Sequence, residues 1–248
     1  MRLNAAKAGT VRRGASLIFI AGFGLTAPAF AGDRALIEYL GYSDDGRYFA
    51  FEEFGVQDGS GFPYANIFII DLPADSWVSG TPYRVLVDND EADVADARYE
   101  AAERAEAKLD ALGIGGAVHT LAVNGDGDPR TGTGHELTFG RPGYDLGDVT
   151  EVRTLALETY PLPASMDCDA LLGEPGLGFA LTLDGVEIHR DAGTLPQSRG
   201  CPMDYRVYAV VRPAEWSNAT GATLAIISIH PFGFEGPDRR FLALPLGD

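Results

Sequence analysis

From residue 35 onward the chain reads as short apolar runs separated by glycine, proline and aspartate, the pattern of strands joined by turns. Residues 35–42 form the first run. Ser43-Asp44-Asp45-Gly46-Arg47 then predicts a tight turn, with Gly46 free to take a positive φ and the Ser43 and Asp44 side chains able to bond nearby amides. Residues 48–54 return as an aromatic strand, and residues 65–72 are the clearest buried strand of the chain. Further strands are predicted over 118–123, 149–158, 178–183, 186–189, 205–211, 223–230 and 241–246, with Leu183-Asp184-Gly185-Val186 as a hairpin turn. Residues 90–112 break this character. Val94, Ala97, Ala101, Ala105 and Leu109 recur at three- to four-residue intervals among charged residues, and Gly113 supplies a stop, so a helix is predicted there. Its apolar stripe is narrow and alanine-rich, which places it on the surface of the sheets. The expected fold is a single mainly β domain over 32–248, built of antiparallel sheets, sandwich-like or partly propeller-like, with one long surface helix.

The first thirty-one residues follow a different plan. Arg2, Lys7, Arg12 and Arg13 precede an apolar stretch from Ala15 to Leu25, and Ala29-Phe30-Ala31 offers small residues at the two positions a signal peptidase reads. The apolar stretch is well short of the ~20 residues a spanning helix requires. A cleaved export signal ending at Ala31 is therefore expected, with the mature chain in the periplasm or secreted. Arg12-Arg13 leaves the twin-arginine and general export routes both open.

Removal of that segment changes the charge. It holds four of the nineteen basic residues and none of the thirty-six acidic ones, so the mature chain has 15 basic residues against 36 acidic, a formal charge of −21. Such a surface repels phosphate backbones and anionic headgroups, which argues against nucleic acid as a partner. No other segment is long and apolar enough to predict a membrane span. The cysteines, Cys168 and Cys201, both lie in the exported part, and an even pair in an oxidising compartment predicts a disulfide.

Two local patterns extend the reading. The turn at residues 43–47, the strand after it and Asn66-Ile67-Phe68-Ile69-Ile70-Asp71-Leu72 resemble one blade of a TolB-like or WD-type propeller; the pattern appears once, which supports the hairpin and not a closed propeller. The segment DGRYFAFEEFG, from Asp45 to Gly55, is similar to predicted secreted bacterial proteins grouped as domain of unknown function 2259. Gly200-Cys201-Pro202 and Gly233-Phe234-Glu235-Gly236-Pro237-Asp238-Arg239-Arg240-Phe241 share that similarity. The resemblance implies export and a single family domain, and brings no activity, cofactor or catalytic residue with it.

Candidate chemistry lies in two glycine- and aromatic-rich loops, residues 54–63 and 230–238, which read as pseudo-repeats able to sit side by side. Glu52, Asp58, Phe62, Tyr64, His230, Phe234, Glu235 and Asp238 are the ligand-binding candidates, suited to a carbohydrate, a peptide or a cation. Strand alternation sends Glu52 and Glu53 to opposite faces, so they are not expected to work as a pair. Carboxylates that accept loop amides or pair with Arg239 and Arg240 are the structural alternative. Asn124, Asp126 and Asp128 resemble the start of a calcium loop, although Pro129 stands where an EF-hand requires glycine. Nucleophile and P-loop motifs are absent, and His119, His135, His189 and His230 are scattered. The reading that results is a non-enzymatic ligand- or protein-binding module, with an envelope protein, peptide or carbohydrate as partner. A carboxylate-dependent hydrolase of envelope polysaccharide or peptide and a calcium-stabilised structural module are its alternatives.

Overall fold

The computed structural model describes residues 32–125, 133–215 and 221–247. The export-signal segment lies outside the described residues, as does Asn218-Ala219-Thr220, which fits a glycosylation sequon and reads as a turn. The chain opens with an antiparallel meander of β1 (Leu36–Ser43), β2 (Tyr48–Val56) and β3 (Pro63–Asp71). The β1–β2 turn closes as its residues predict: Gly46 sits at φ 68° and donates its amide to the Ser43 carbonyl, while Ser43 Oγ accepts the Tyr48 amide at 2.9 Å. Arg47 then pairs with Asp71 at 2.7 Å, tying the turn to the far end of β3. The short strands β4 (Ser76–Trp77) and β5 (Tyr83–Leu86) both pair with the outer edge of β3.

Helix α1 (Val94–Ala111) covers one face of this sheet. It starts at Val94 and not at residue 90 because Asp93 caps it: the Asp93 carboxylate accepts the amides of Ala95 and Asp96, and the Asp96 side chain returns the bond to the Asp93 amide. Ala97, Ala101 and Ala105 are fully buried against Ala50, Ala65, Ile67 and Ile69. Side chains this small let the helix axis approach the sheet closely, so the narrow alanine stripe is the packing face itself. The strand β6 (Ile114–Gly116) returns to pair with β1 and completes the first sheet.

β7 (Val118–Val123) leaves that sheet for the next layer. β8 (Glu136–Pro142) and β9 (Val149–Pro161) form a hairpin, and the five-residue helix α2 (Cys168–Leu172) follows. β10 (Leu177–Leu183) and β11 (Val186–Arg190) then add to β9 to make an outer sheet in the order β11-β10-β9-β8. Asp184 and Gly185 turn β10 into β11, with Leu183 opposite Val186 as predicted. The disulfide Cys168–Cys201, with Cα atoms 5.4 Å apart, fastens α2 to the start of the last three strands, β12 (Pro202–Pro213), β13 (Leu224–Pro231) and β14 (Arg240–Pro245). With β7 these form a sheet ordered β14-β13-β12-β7.

This third sheet is the central layer. On one face Ala209, Val211, Leu224, Ile226, Phe241 and Ala243 pack against Tyr42, Phe49, Phe51 and Phe68 of the first sheet. On the other, Tyr205, Val207, Val210, Ala225, Ile227 and Leu244 pack against Leu155, Phe179 and Leu181 of the outer sheet. Truncating a fully buried aromatic such as Phe49 or Phe179 to alanine costs ~3–5 kcal/mol. The molecule is thus mainly β, a stack of helix, sheet, sheet and sheet, which is the sandwich-like form of the expectation. β4, β5, β6 and β8 carry too few consecutive apolar residues to stand out by pattern: β6 is Ile114-Gly115-Gly116, and β5 buries only Val85.

Candidate functional site

The two predicted loops meet. Asp58 Oδ2 accepts the Glu235 amide at 2.8 Å, so the turn after β2 and the turn after β13 are hydrogen-bonded to each other. Each loop also closes on itself, through Gln57 N–H to the Phe62 carbonyl in one and Asp238 N–H to the Pro231 carbonyl in the other. Phe62 is partly buried in its loop, whereas Phe234 stands in solvent.

Beneath the loops lies a polar cluster centred on Arg240. Its guanidinium reaches Asp33 Oδ2 at 2.6 Å, Asp238 Oδ2 at 3.8 Å and Glu53 Oε1 at 4.0 Å. The Tyr64 hydroxyl donates to Asp33 Oδ1 at 2.7 Å, Asp238 Oδ1 accepts the Asp33 amide at 3.0 Å, and Glu53 Oε2 accepts the Phe241 amide at 3.2 Å. Burial pushes the Glu53 carboxyl up to about 7; Arg240, the Phe241 amide and Asn66 offset part of that, and Asp33 adds to it. Asp238 is raised by burial in the same way, against the pull of Arg240. Burial, helped by its bond to Asp33, drives the Tyr64 hydroxyl far above the ordinary phenol range and keeps it a donor. Every carboxylate here holds a backbone amide or a cation, so the cluster joins the N-terminal segment 33–35 to β14.

Three predicted residues lie elsewhere. Glu52 faces α1 on the other side of β2, where it accepts from Arg98 Nε at 3.0 Å and Nη2 at 2.7 Å; Arg98 also pairs with Glu38 and lies over the Phe54 ring. Glu53 takes the inward place expected of Glu52. His230 sits on the central sheet beside Ser228, 3.2 Å away, with Arg206, Asp204, Arg239 and Arg34 around it; burial and the arginines lower its pKa to about 4. Asn124 spends its side-chain amide on the Val207 and Glu136 carbonyls, while Asp126 and Asp128 lie outside the described residues.

Among the described residues lies a cleft of about 300 Å³ that sequence patterning does not reveal. Phe51, Ile70 and Trp77 of the first sheet form one wall, and His189 and Arg199, beside the disulfide, form the other. Its floor is Phe241, Leu242, Ala243 and Leu244 of β14. Side chains of consecutive strand residues alternate between faces, so a cleft that touches all four lies against the edge of β14. β4 and β11 are also edge strands, and all three sheets bring an edge to this one place. Phe51 and Phe68 stack at 4.9 Å, Trp77 tilts onto Phe68 at 5.6 Å, and Arg84 lies over the Trp77 ring. On the opposite wall Arg199 spans the Phe179 and Tyr205 rings and reaches Asp191, which His189 also contacts at 3.3 Å. Burial would raise Asp191; the His189 bond, the Arg199 charge and the Phe179 amide outweigh it and hold the carboxyl low, so it stays an anchor for Arg199 and the His189 ring. The one local signal for this site is Trp77, an indole following a buried strand and 40% exposed.

The molecule is mainly β, built of three antiparallel sheets. The sequence model of a family described as predicted secreted protein, domain of unknown function 2259, matches residues 50–246, and the chain belongs to that family. No curated protein and no protein of solved structure matches the chain. Among the described residues, no helix is long and apolar enough to cross a membrane.

Proposed function

We propose that this protein is an exported binding module that works in the periplasm and holds an extended polypeptide segment in the cleft along β14. The observation that carries this reading is the outer edge of β14, which pairs with no strand among the described residues. The Arg239 amide points outward to the Asp33 carbonyl and the Phe241 amide outward to Glu53, so alternation directs the Ala243 N–H and C=O into the cleft as well. Pro245 ends the edge. A strand laid there gains main-chain hydrogen bonds from Ala243 and side-chain contacts from Trp77 and Phe51, the recognition mode of strand addition. A peptide backbone suits this edge better than a sugar does, because Ala243 offers one donor and one acceptor in the geometry of a strand pair. The apolar rings on one wall and Arg199 and His189 on the other define the side-chain pockets. The predicted signal segment, the family description and a disulfide that suits an oxidising compartment support the location.

The test is selection from a displayed random heptapeptide library, followed by titration of an enriched peptide into a Trp216→Phe variant, in which Trp77 is the sole indole. A saturable change in Trp77 emission is expected. Ala243→Pro, which removes an outward amide while sparing the β13 ladder, should abolish it. No enrichment over bare support, or equal binding by Ala243→Pro, would sink the proposal.

A further inference from the structure

The residues immediately after the predicted cleavage point are built into the fold. Asp33 and Ala35 are buried; the Asp33 carbonyl accepts the Arg239 amide at 2.8 Å, and the Ala35 carbonyl accepts Arg239 Nε at 2.8 Å. Gly32 lies flat against the 236–237 turn. A Cβ there would stand 2.5 Å from the Pro237 carbonyl oxygen and 2.8 Å from that of Gly236, so the position admits no side chain. Two backbone acceptors therefore crowd the α-carbon of the residue that signal cleavage would make the first. Carboxylates stand next to it: Asp238 Oδ1 accepts the amide of Asp33, the residue after Gly32, and Asp33, Glu53 and Asp238 all lie within 4.0 Å of Arg240.

We propose that the α-ammonium group released at Gly32 by cleavage after Ala31 is captured by the 233–238 turn, so that removal of the leader completes the clasp between the N-terminus and β14. Three observations of different kinds converge on it: the small-residue cleavage pattern Ala29-Phe30-Ala31, the steric demand for glycine at 32, and the Asp238 carboxylate already bonded to the next amide, that of Asp33. A nascent ammonium has three donors for the Gly236 and Pro237 carbonyls and the Asp238 carboxylate, where a peptide amide has one. Before cleavage position 32 carries no charge, so the precursor holds a looser clasp than the product. This inference rests on the export reading above but not on the peptide cleft.

The mature chain makes the test clean, since Lys7 leaves with the leader and Lys108 is the one lysine that remains. A fusion cut by a protease that leaves a native glycine yields the chain from Gly32 without relying on natural processing. Limited acetylation at pH 7 followed by mass spectrometry reads the α-amine and Lys108 separately. A free α-amine is more reactive than lysine at this pH, its pKa being ~8 against ~10.4. Capture works against that advantage: the Gly32 amine should be acetylated about tenfold more slowly than the amine of a chain beginning at Phe30, one pKa unit of protection. The Gly32 chain should also melt higher than the Phe30 chain, and Asp238→Asn should erase the difference. Equal acetylation rates or equal melting of the two chains would overturn capture. Separately, the exported protein should have the intact mass of a chain beginning at Gly32; a different start overturns the processing half and leaves the capture result standing on its own.

Discussion

Glu52 and Glu53 are consecutive, both are buried, and they serve different layers: Glu52 anchors Arg98 of α1, while Glu53 turns inward to Arg240 and the Phe241 amide. One strand thus carries a carboxyl pin on each face. The two pins call for separate tests.

Glu53 and His230 should pull stability in opposite directions with pH. Glu53 rises from 4.5 to about 7 on folding, so between those values the folded chain keeps a proton that the unfolded chain has lost, and its contribution falls as pH rises. His230 drops from 6.5 to about 4, so between those values the unfolded chain holds the extra proton, and its contribution grows as pH rises. Urea midpoints measured over the range between these values should show Glu53→Gln gaining on wild type as pH increases. His230→Gln should gain on wild type as pH decreases. Parallel profiles for all three proteins would contradict both assignments.

Arg98→Met leaves Glu52 buried without its cation and should cost ~3–5 kcal/mol. Adding Glu52→Leu removes the stranded charge and should recover much of that loss. Chemical denaturation of the single and double variants gives the comparison, and a double variant no more stable than Arg98→Met refutes it.

The alanine face of α1 has no room to grow. Ala101→Leu should destabilise by about 1–3 kcal/mol through overpacking against the first sheet, whereas Ala102→Leu, one residue on and exposed, should be near neutral. Thermal unfolding distinguishes them.

The disulfide closes a separation of 33 residues, for which chain entropy predicts ~3–4 kcal/mol. A Cys168→Ser/Cys201→Ser variant should lose stability on that order. Because Arg199 stands two residues from Cys201, the same variant should also weaken binding of a cleft peptide. Unchanged affinity would show that the Arg199 wall is held by its Asp191 and Tyr205 contacts alone.

Strong local patterns are readable along the chain: the β1–β2 turn, the buried run of β3, the alanine stripe of α1 and the cysteine pair. Alternation also separates Glu52 from Glu53. It cannot say which face looks toward β14, because that depends on the central sheet, whose members are distant in sequence; the loops are therefore expected to hold Glu52 where the fold places Glu53. The cleft is hidden for the same reason. Trp77, His189, Arg199 and Ala243 become neighbours only when three sheet edges converge, and no spacing along the chain records that.

The central layer is assembled from residues 118–123 and 202–245, and its edge is latched by Asp33, 205 and 207 positions away from Asp238 and Arg240. Without the strands between residues 202 and 245, the first sheet has no layer to cover its aromatic face and the outer sheet has nothing to rest on.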